Sequence, residues 1–255
     1  MHARTWRWIA IATAVAGGLG AAGCGDDGPA APDAATIDGA VPDVMVDADP
    51  RPCGADLYFT GGYEDWDSTS QSFLGVFGAT VTEVADPGNT ATTAPNGRSV
   101  LCLPATGTSQ VTYVQQDAPY LPARFTVDAD AYRVPYTMKG LKTARIASQF
   151  TDLGAAYDDT TTLVLIEVRH APDGAQLDDV TVAIEGAGAG FHRDVDNVFQ
   201  AGATTAGGAY LLFPNVPPGD GDLTVTVTAT GVTCHAPATI AAVAGELAVT
   251  TVACE

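Results

Sequence analysis

Beyond residue 53 the sequence consists of short segments in which apolar residues alternate with polar ones. Thr, Val and Ala dominate these segments, and Gly, Pro, Asn and Asp separate them. The segments 78–84 and 222–229 show the alternation most plainly. A period of two is typical of half-buried strands, and Gly or Pro punctuation is typical of turns. The pattern therefore predicts an all-β chain built of short strands.

This pattern of strands and turns occurs twice along the chain. Residues 91–94 and residues 203–206 have the same letters, Ala-Thr-Thr-Ala, and in both places a strand and a Pro-containing turn follow. Repeated short strands with turns between them are typical of β-sandwiches. We predict two tandem sandwiches, the first at residues 53–135 and the second at residues 160–255.

The segment between the two copies, residues 136–159, is predicted to be a helical connector. Within it, residues 141–156 place Leu141, Ile146 and Phe150 on one face of a helix. This spacing is helical. A short helix here is expected to cover a sandwich end or the junction between the copies.

The N-terminal segment resembles the signal of a bacterial lipoprotein. Arg4 and Arg7 precede an uncharged run that is too short and too rich in Gly to span a bilayer, which takes about 20 apolar residues. The residues that lead to Cys24 resemble a lipobox, which implies removal of residues 1–23 and attachment of a lipid to Cys24. Ala21 departs from the Leu preferred at its position, and a plain signal-peptidase cut at an upstream small residue is the alternative.

Residues 24–52 follow as a tether rich in Asp, Pro and Ala. The stretch from 24 to 50 contains no Lys, Arg or aromatic residue. Such a segment buries too little apolar surface to offset the entropy of ordering. We predict a disordered, self-repelling spacer that holds the folded part away from a membrane. Gly25, which directly follows the lipidated cysteine, resembles the residue found in lipoproteins sorted to the outer membrane.

Four cysteines remain after Cys24. An even number of cysteines in an exported protein suggests two disulfide bonds. Three pairings are possible, and the local one puts one bridge in each copy; four buried free thiols are the alternative. The cysteines concerned are Cys53, Cys102, Cys234 and Cys254.

Charge and histidine content exclude some classes of function. The chain has a formal net charge of −19 and no basic cluster after the signal, whereas nucleic-acid binding needs a positive patch. The three histidines after the signal are far apart in sequence, so no paired ligands for zinc or iron are present. No Gly-x-Ser-x-Gly elbow occurs. We therefore expect neither nucleic-acid binding nor catalysis.

Two candidate sites remain. Asp194, Asp196 and Asn197 offer the oxygen ligands that Ca²⁺ prefers, although ordinary turn-forming loop residues would have the same pattern. Tyr63 and Trp66 are predicted to lie in a long acidic loop, where exposed rings could stack on a glycan or anchor a protein partner. The alternative is that these rings fold back to cap the sandwich end.

Several segments resemble carboxypeptidase regulatory-like domains. These are Gly-Ala-Thr-Val-Thr from residue 78, Thr-Thr-Ala-Pro-Asn-Gly-Arg from 92, Val-Leu-Cys-Leu-Pro-Ala from 100, and the run from Thr204 to Gly219. The resemblance covers roughly residues 53–135 and 160–255. It implies a transthyretin-like β-sandwich that supports, spaces or binds and does not catalyse.

We accordingly expect a non-catalytic lipoprotein of the cell envelope that acts as a binding or spacer module. The alternative is a structural or assembly subunit that packs on another envelope protein, and an unrecognised hydrolase is the third hypothesis. The expected partners are the membrane, through the lipid, and a glycan or a protein at the envelope. Apart from Ca²⁺, no cofactor is expected.

Overall fold

The computed structural model describes residues 53–66, 68, 74–116, 120–131, 136–194, 198–218 and 222–255. In this part of the chain nearly all regular structure is β-strand, and one short helix is present. The predicted all-β class, with β-sandwich layers and one short helix, is therefore confirmed. Cys24, the signal and the tether lie outside the described residues.

The strands are short and follow one another closely along the chain. They are β1 (Leu57–Asp65), β2 (Thr80–Glu83), β3 (Thr90–Thr92), β4 (Arg98–Leu103), β5 (Thr108–Val114), β6 (Ala123–Asp128), β7 (Tyr136–Gly140), β8 (Thr162–His170), β9 (Thr181–Ile184), β10 (Phe191–Arg193), β11 (Phe199–Ala201), β12 (Tyr210–Val216), β13 (Leu223–Thr228), β14 (Cys234–His235), β15 (Thr239–Ile240) and β16 (Leu247–Cys254). The helix α1 (Thr143–Asp152) lies between β7 and β8.

One long sheet runs through both halves of the chain. Its strand order is β11-β10-β12-β8-β16-β6-β5-β2-β3, and β14 pairs with β16. The last strand, β16, lies between the halves and is parallel to β8 on one side and to β6 on the other. The boundaries predicted for the two sandwiches stay predictions, but the two halves share this central sheet.

Two smaller sheets complete the architecture. The first has the order β4-β1-β7 and the second the order β15-β13-β9. Alternate residues of the central strands belong to different cores: Leu163 and Leu165 pack with the first small sheet, and Val164 and Ile166 with the second. The central sheet is therefore covered on both faces around β8 and β16. This explains why β8 reads as a continuous apolar run instead of an alternating one.

The helix α1 packs on the first of these two cores. Ile146 and Phe150 are buried and join the core cluster of the first small sheet, as does Leu141 just before the helix. The amphipathic spacing read from the sequence thus gives the correct element, which is shorter than the predicted 141–156. Tyr136 to Gly140, which we placed in the connector, form strand β7, which pairs in parallel with β1.

Strand β1 extends further than the sequence predicts. We expected a loop from Gly61, but the strand continues to Asp65. A β-carbon on Gly61 would come 2.3 Å from Cε1 of Tyr136, so the glycine lets this ring lie flat against the strand. In the sequence, Gly61 and Gly62 are typical of a loop. A glycine inside a strand can instead mark the close approach of another group, and the sequence alone does not show that the Tyr136 ring packs on Gly61.

Both predicted disulfide bonds are present in the local pairing. Cys53 is bonded to Cys102, and Cys234 to Cys254. The first ties the start of the described chain to β4. The second joins β14 to β16, where the two cysteines are opposite each other in the ladder.

Candidate functional site

Two adjacent acids at the end of β1 bind the only two lysines of the sequence. Glu64 and Asp65 point to opposite sides of the strand, as neighbours in a strand must. Lys139 is opposite Glu64 in the ladder, and its Nζ lies 2.7 Å from Glu64 Oε2. Lys142 Nζ lies 2.6 Å from Asp65 Oδ2, and the Tyr120 hydroxyl donates to the same oxygen. Both acids are therefore neutralised within the protein.

A second charged group lies between the first small sheet and the central sheet. Glu167 on β8 is 1% exposed. Its Oε1 accepts hydrogen bonds from Arg169 Nη2 at 2.6 Å, from Arg169 Nε at 2.8 Å and from the Tyr210 hydroxyl at 2.9 Å. Its Oε2 accepts a bond from the backbone N–H of Thr137 at 3.3 Å. We call Glu167, Arg169 and Tyr210, with the Thr137 backbone, the interlayer clamp.

The interlayer clamp closes the free edge of the first small sheet. Among the described strands β7 is an edge strand, so the backbone groups of Thr137 that face away from β1 have no strand partner there. Glu167 accepts a hydrogen bond from the N–H, and the Tyr210 hydroxyl shares its one proton between Glu167 and the carbonyl, which lies 3.3 Å away. An unpaired edge invites pairing with another chain, and a buried unpaired group is costly. The interlayer clamp provides hydrogen-bond partners for the backbone of Thr137 at this edge. It also connects the first small sheet to the central sheet.

Aromatic side chains continue this contact toward β10 and β11. Trp66, just after β1, is stacked on Phe199 with ring centres 5.4 Å apart. The guanidinium of Arg193 lies 5.0 Å from the centre of the Trp66 ring and 5.8 Å from that of Tyr210. Contacts between a guanidinium and an aromatic face are attractive, and more so when water is excluded. The N-terminal and C-terminal halves of the described chain are therefore packed together through these rings.

The pKa values at this contact are shifted by burial and by neighbouring charge. Burial raises the pKa of Tyr210 well above its ordinary value, and the adjacent Glu167 carboxylate adds to the effect. Burial disfavours the charged form of Arg169, but its contact with Glu167 raises its pKa overall. Burial likewise raises the pKa of Tyr63, with contributions from Tyr120 and Asp65. Tyr210 therefore stays neutral and Arg169 stays charged, as their hydrogen bonds to Glu167 require.

The structure places the residues singled out from the sequence as follows. Tyr63 lies on β1 and is fully buried, and Trp66 is 2% exposed, so neither ring presents a face to a ligand in solution. Both rings are folded back onto the protein, which is the alternative stated for them in the sequence analysis. Asp194 accepts bonds from the Val198 backbone and the Gln200 side chain, whereas Asp196 and Asn197 lie outside the described residues.

The arrangement is suited to holding layers together. Among the described residues, no group of three or more His, Cys, Asp or Glu side chains is placed to bind a metal ion. The same residues include no helix long and apolar enough to cross a membrane. The buried acids Asp65 and Glu167 each contact a cation from another position in the chain.

Sequence reasoning missed the interlayer clamp. The signal that could have found it is the presence of Glu167 and Arg169 in a strand that is otherwise apolar. Two opposite charges two residues apart point to the same face of a strand. A charge pair in a buried strand needs further hydrogen-bonding partners, but the sequence does not say where Tyr210 and Thr137 lie.

A Tyr63→Phe variant is expected to lose less stability in alkali than the parent protein. Below about pH 10 the tyrosine is protonated in both states. Above it the unfolded chain ionises while the buried Tyr63, whose pKa is raised, keeps its proton. Each such tyrosine therefore costs about 1.4 kcal/mol of stability per pH unit above that point. Urea unfolding from pH 8 to pH 11 measures the slope.

The matched control for this experiment is Tyr58→Phe, since Tyr58 is 44% exposed. It should keep the parent's slope. At neutral pH, Tyr63→Phe is expected to keep or gain stability, because the Tyr63 hydroxyl is buried with no hydrogen-bond partner among the described residues. Equal slopes for Tyr63→Phe and the parent protein would contradict the shifted pKa.

Fold and site together define a disulfide-bonded all-β protein of stacked sheets with internally paired charges. No protein-family model matches the chain, and no curated protein matches it. In structure it is similar to the shaft pilin SpaA from Lactobacillus rhamnosus GG, with 13% identity and a TM-score of 0.27, over 78% of this chain and 97% of that chain. It is also similar to the minor pilin GBS52 of Streptococcus agalactiae, with 10% identity and a TM-score of 0.25, over 77% of this chain and 94% of that chain. Similarity at this level carries no argument about function, which is argued below from the chain's own residues.

Proposed function

We propose that this chain is a non-catalytic structural subunit of the cell envelope that packs on another envelope protein. The interlayer clamp is the observation that carries the proposal. The ionisable groups buried between the sheets are used to fasten one sheet to another, as Glu167 does with Arg169 and the edge of β7. An interior built in this way supports a rigid body.

Export to the envelope is supported by the cysteines. Two disulfide bonds are expected in an oxidising compartment and are rare in the cytosol. Cys24 is the one cysteine left outside both bridges, and a lipid on its sulfur gives it a separate role. On this proposal the acidic tether of residues 24–52 places the rigid body at a distance from the membrane.

The pairing of strand β16 supports a role in which the protein has to resist mechanical deformation. Strand β16 pairs with β8 from Leu247 to Cys254 and with β6 from Leu247 to Val249. Because inter-strand hydrogen bonds run across the strands, displacement of β16 along its own axis would strain the bonds of both ladders together. The Cys234–Cys254 bridge holds the end of the same strand.

We test the proposal by isolating the chain from the membranes of its native host in mild detergent. A structural subunit is expected to co-purify with one envelope protein at a fixed ratio, and the intact mass should show a lipid on a chain that begins at Cys24. A Cys24→Ser variant is the matched control; it should leave the membrane fraction and keep both disulfide bonds. A chain that elutes alone contradicts the structural role, and an unmodified chain contradicts the anchor.

A further inference from the structure

Gly62 has no structural reason to be glycine. It lies in the middle of β1, where glycine weakens a strand and has no side chain to pack. A β-carbon on Gly62 would find its nearest neighbour, Glu64 Oε1, at 3.9 Å, whereas one on Gly61 would collide with Tyr136. Its φ lies outside the positive range that favours glycine. A glycine of this kind in a strand often marks the close approach of a ligand.

The missing side chain leaves a cavity on the outer face of the first small sheet. Gly62 is opposite Arg98 on one side and opposite Thr137 on the other. The cavity has a volume of about 140 Å³. Besides Gly62, the polar residues that line the cavity are Thr60, Glu64, Asn96, Arg98 and Thr137.

Arg98 supplies a cation at this cavity. The described residues contain no hydrogen-bond or ion-pair partner for its guanidinium. Glu64, which borders the same cavity, is neutralised by Lys139 at 2.7 Å. The lining therefore has a net charge of about +1, in a chain whose formal net charge is −19. A monoanion is the ligand that this balance favours.

The residues that line the cavity favour a carboxylate over other anions. A guanidinium binds a planar carboxylate with two parallel hydrogen bonds. A phosphate dianion is disfavoured, because the Glu64 carboxylate lies at the same cavity. Glu64 can instead accept a hydrogen bond from an N–H or O–H group on the ligand. A carboxylate with an amide N–H on the adjacent carbon matches both groups, and this is the chemistry of a peptide C-terminus.

We propose that this cavity binds the C-terminal carboxylate of a peptide whose last residue is small. Arg98 holds the carboxylate and Glu64 accepts the last amide N–H. A cavity of about 140 Å³ accommodates a glycine or alanine residue, and Gly62 forms its open floor. The site stands on its own lining and does not depend on the envelope role.

The test is a titration of the ¹⁵N-labelled full chain with N-acetylglycine, followed by NMR. We expect saturable shifts at the amides of Gly62, Arg98 and Thr137. Two probes separate the parts of the ligand: acetate lacks the N–H, and N-acetylglycinamide lacks the carboxylate. N-acetylglycine should bind more tightly than acetate, and N-acetylglycinamide should not saturate. Affinity should also fall as salt is added, because the contact with Arg98 is an ion pair.

Three variants locate the site. Arg98→Gln should weaken binding by at least about tenfold, because hydrogen bonds to a charged group are the stronger class. Arg98→Lys keeps the charge without the planar fork and should fall between Arg98→Gln and the parent. Gly62→Val should abolish binding by filling the cavity while the thermal midpoint is unchanged or raised. Gly188→Val is the matched control, since Gly188 is exposed and a β-carbon there has no neighbour within 4 Å.

The proposal is overturned if Arg98→Gln binds N-acetylglycine as tightly as the parent, or if N-acetylglycinamide saturates equally well. It is also overturned if the shifts fall away from β1, β4 and β7. Arg98 is exposed on the surface, so its variants report on binding even where Gly62→Val alters the fold. Gly62→Ala, a smaller change at the same position, should weaken binding without abolishing it.

Discussion

Replacing Glu167 with alanine is expected to lower the free energy of unfolding by about 3 kcal/mol. The substitution leaves the Arg169 guanidinium without its carboxylate and the Thr137 N–H without an acceptor. The Tyr210 hydroxyl keeps only its longer contact with the Thr137 carbonyl. Breaking a buried ion pair typically costs about 3–5 kcal/mol. We place this one at the lower end, because the Arg169 side chain keeps 26% of its exposure and can be partly solvated.

Urea unfolding at pH 7 measures the loss. Asp173→Ala is the control, because the Asp173 side chain is 63% exposed and its partners, the His170 ring and the Ala175 N–H, lie in the same turn; it should have little effect. A double variant, Glu167→Met with Arg169→Leu, should recover much of the loss, since apolar residues of similar volume often replace a buried ion pair without cost. A loss below about 1 kcal/mol for Glu167→Ala would show that the clamp does not brace the sheets.

Removing the Cys53–Cys102 bridge is expected to cost about 4 kcal/mol, which is the largest effect that we predict. The two cysteines are 49 residues apart, and a bridge that closes a longer loop removes more entropy from the unfolded chain. The bridge also holds the start of the described chain against β4, the strand next to β1. Its loss therefore frees the end of the first small sheet in the folded state as well.

The measurement is urea unfolding of the Cys53→Ala, Cys102→Ala double variant under oxidising conditions. Its matched control is the Cys234→Ala, Cys254→Ala variant. The second pair is 20 residues apart and should cost about 3 kcal/mol. If the second bridge proves the more costly of the two, loop length does not govern their contributions, and native packing around Cys254 does.

The sequence was sufficient for the local elements of this fold. Segment 222–229 alternates cleanly and forms β13, and the spacing of Ile146 and Phe150 predicted the helix α1. The even number of cysteines predicted two bridges, and the local pairing was one of three possibilities. These features are set by neighbouring residues, because alternation, helical spacing and turn chemistry act over a few positions.

The sequence was not sufficient where distant strands meet. Tyr63 and Trp66 were read as part of a loop, but β1 runs on to Asp65 because the Tyr136 ring covers Gly61. Residues 191–193 and 199–201, on either side of the predicted Ca²⁺ ligands, form β10 and β11 at one end of the central sheet. For β1 the packing residue, Tyr136, is far away in the chain, whereas β10 pairs with the nearby β11 and with β12 further along.

The candidate sites follow the same division. Arg98, Gly62 and Thr137 come from three separated strands, and only the register of β4, β1 and β7 puts them in one row. The interlayer clamp joins Glu167 to Thr137 and Tyr210 across two sheets. Neither group has a spacing in sequence that a pattern could recognise.

The sequence by itself determined the all-β class, the short helix and the disulfide pairs to be considered, because these depend on local periodicity and on residue type. Only the tertiary structure decided that both halves share one sheet. The pairing of β16 with β6 and β8 joins strands that are far apart in the chain, and its free energy comes from burying both faces of β8 and β16 at once. That burial is a property of the assembled layers, and no single segment of the sequence contains it.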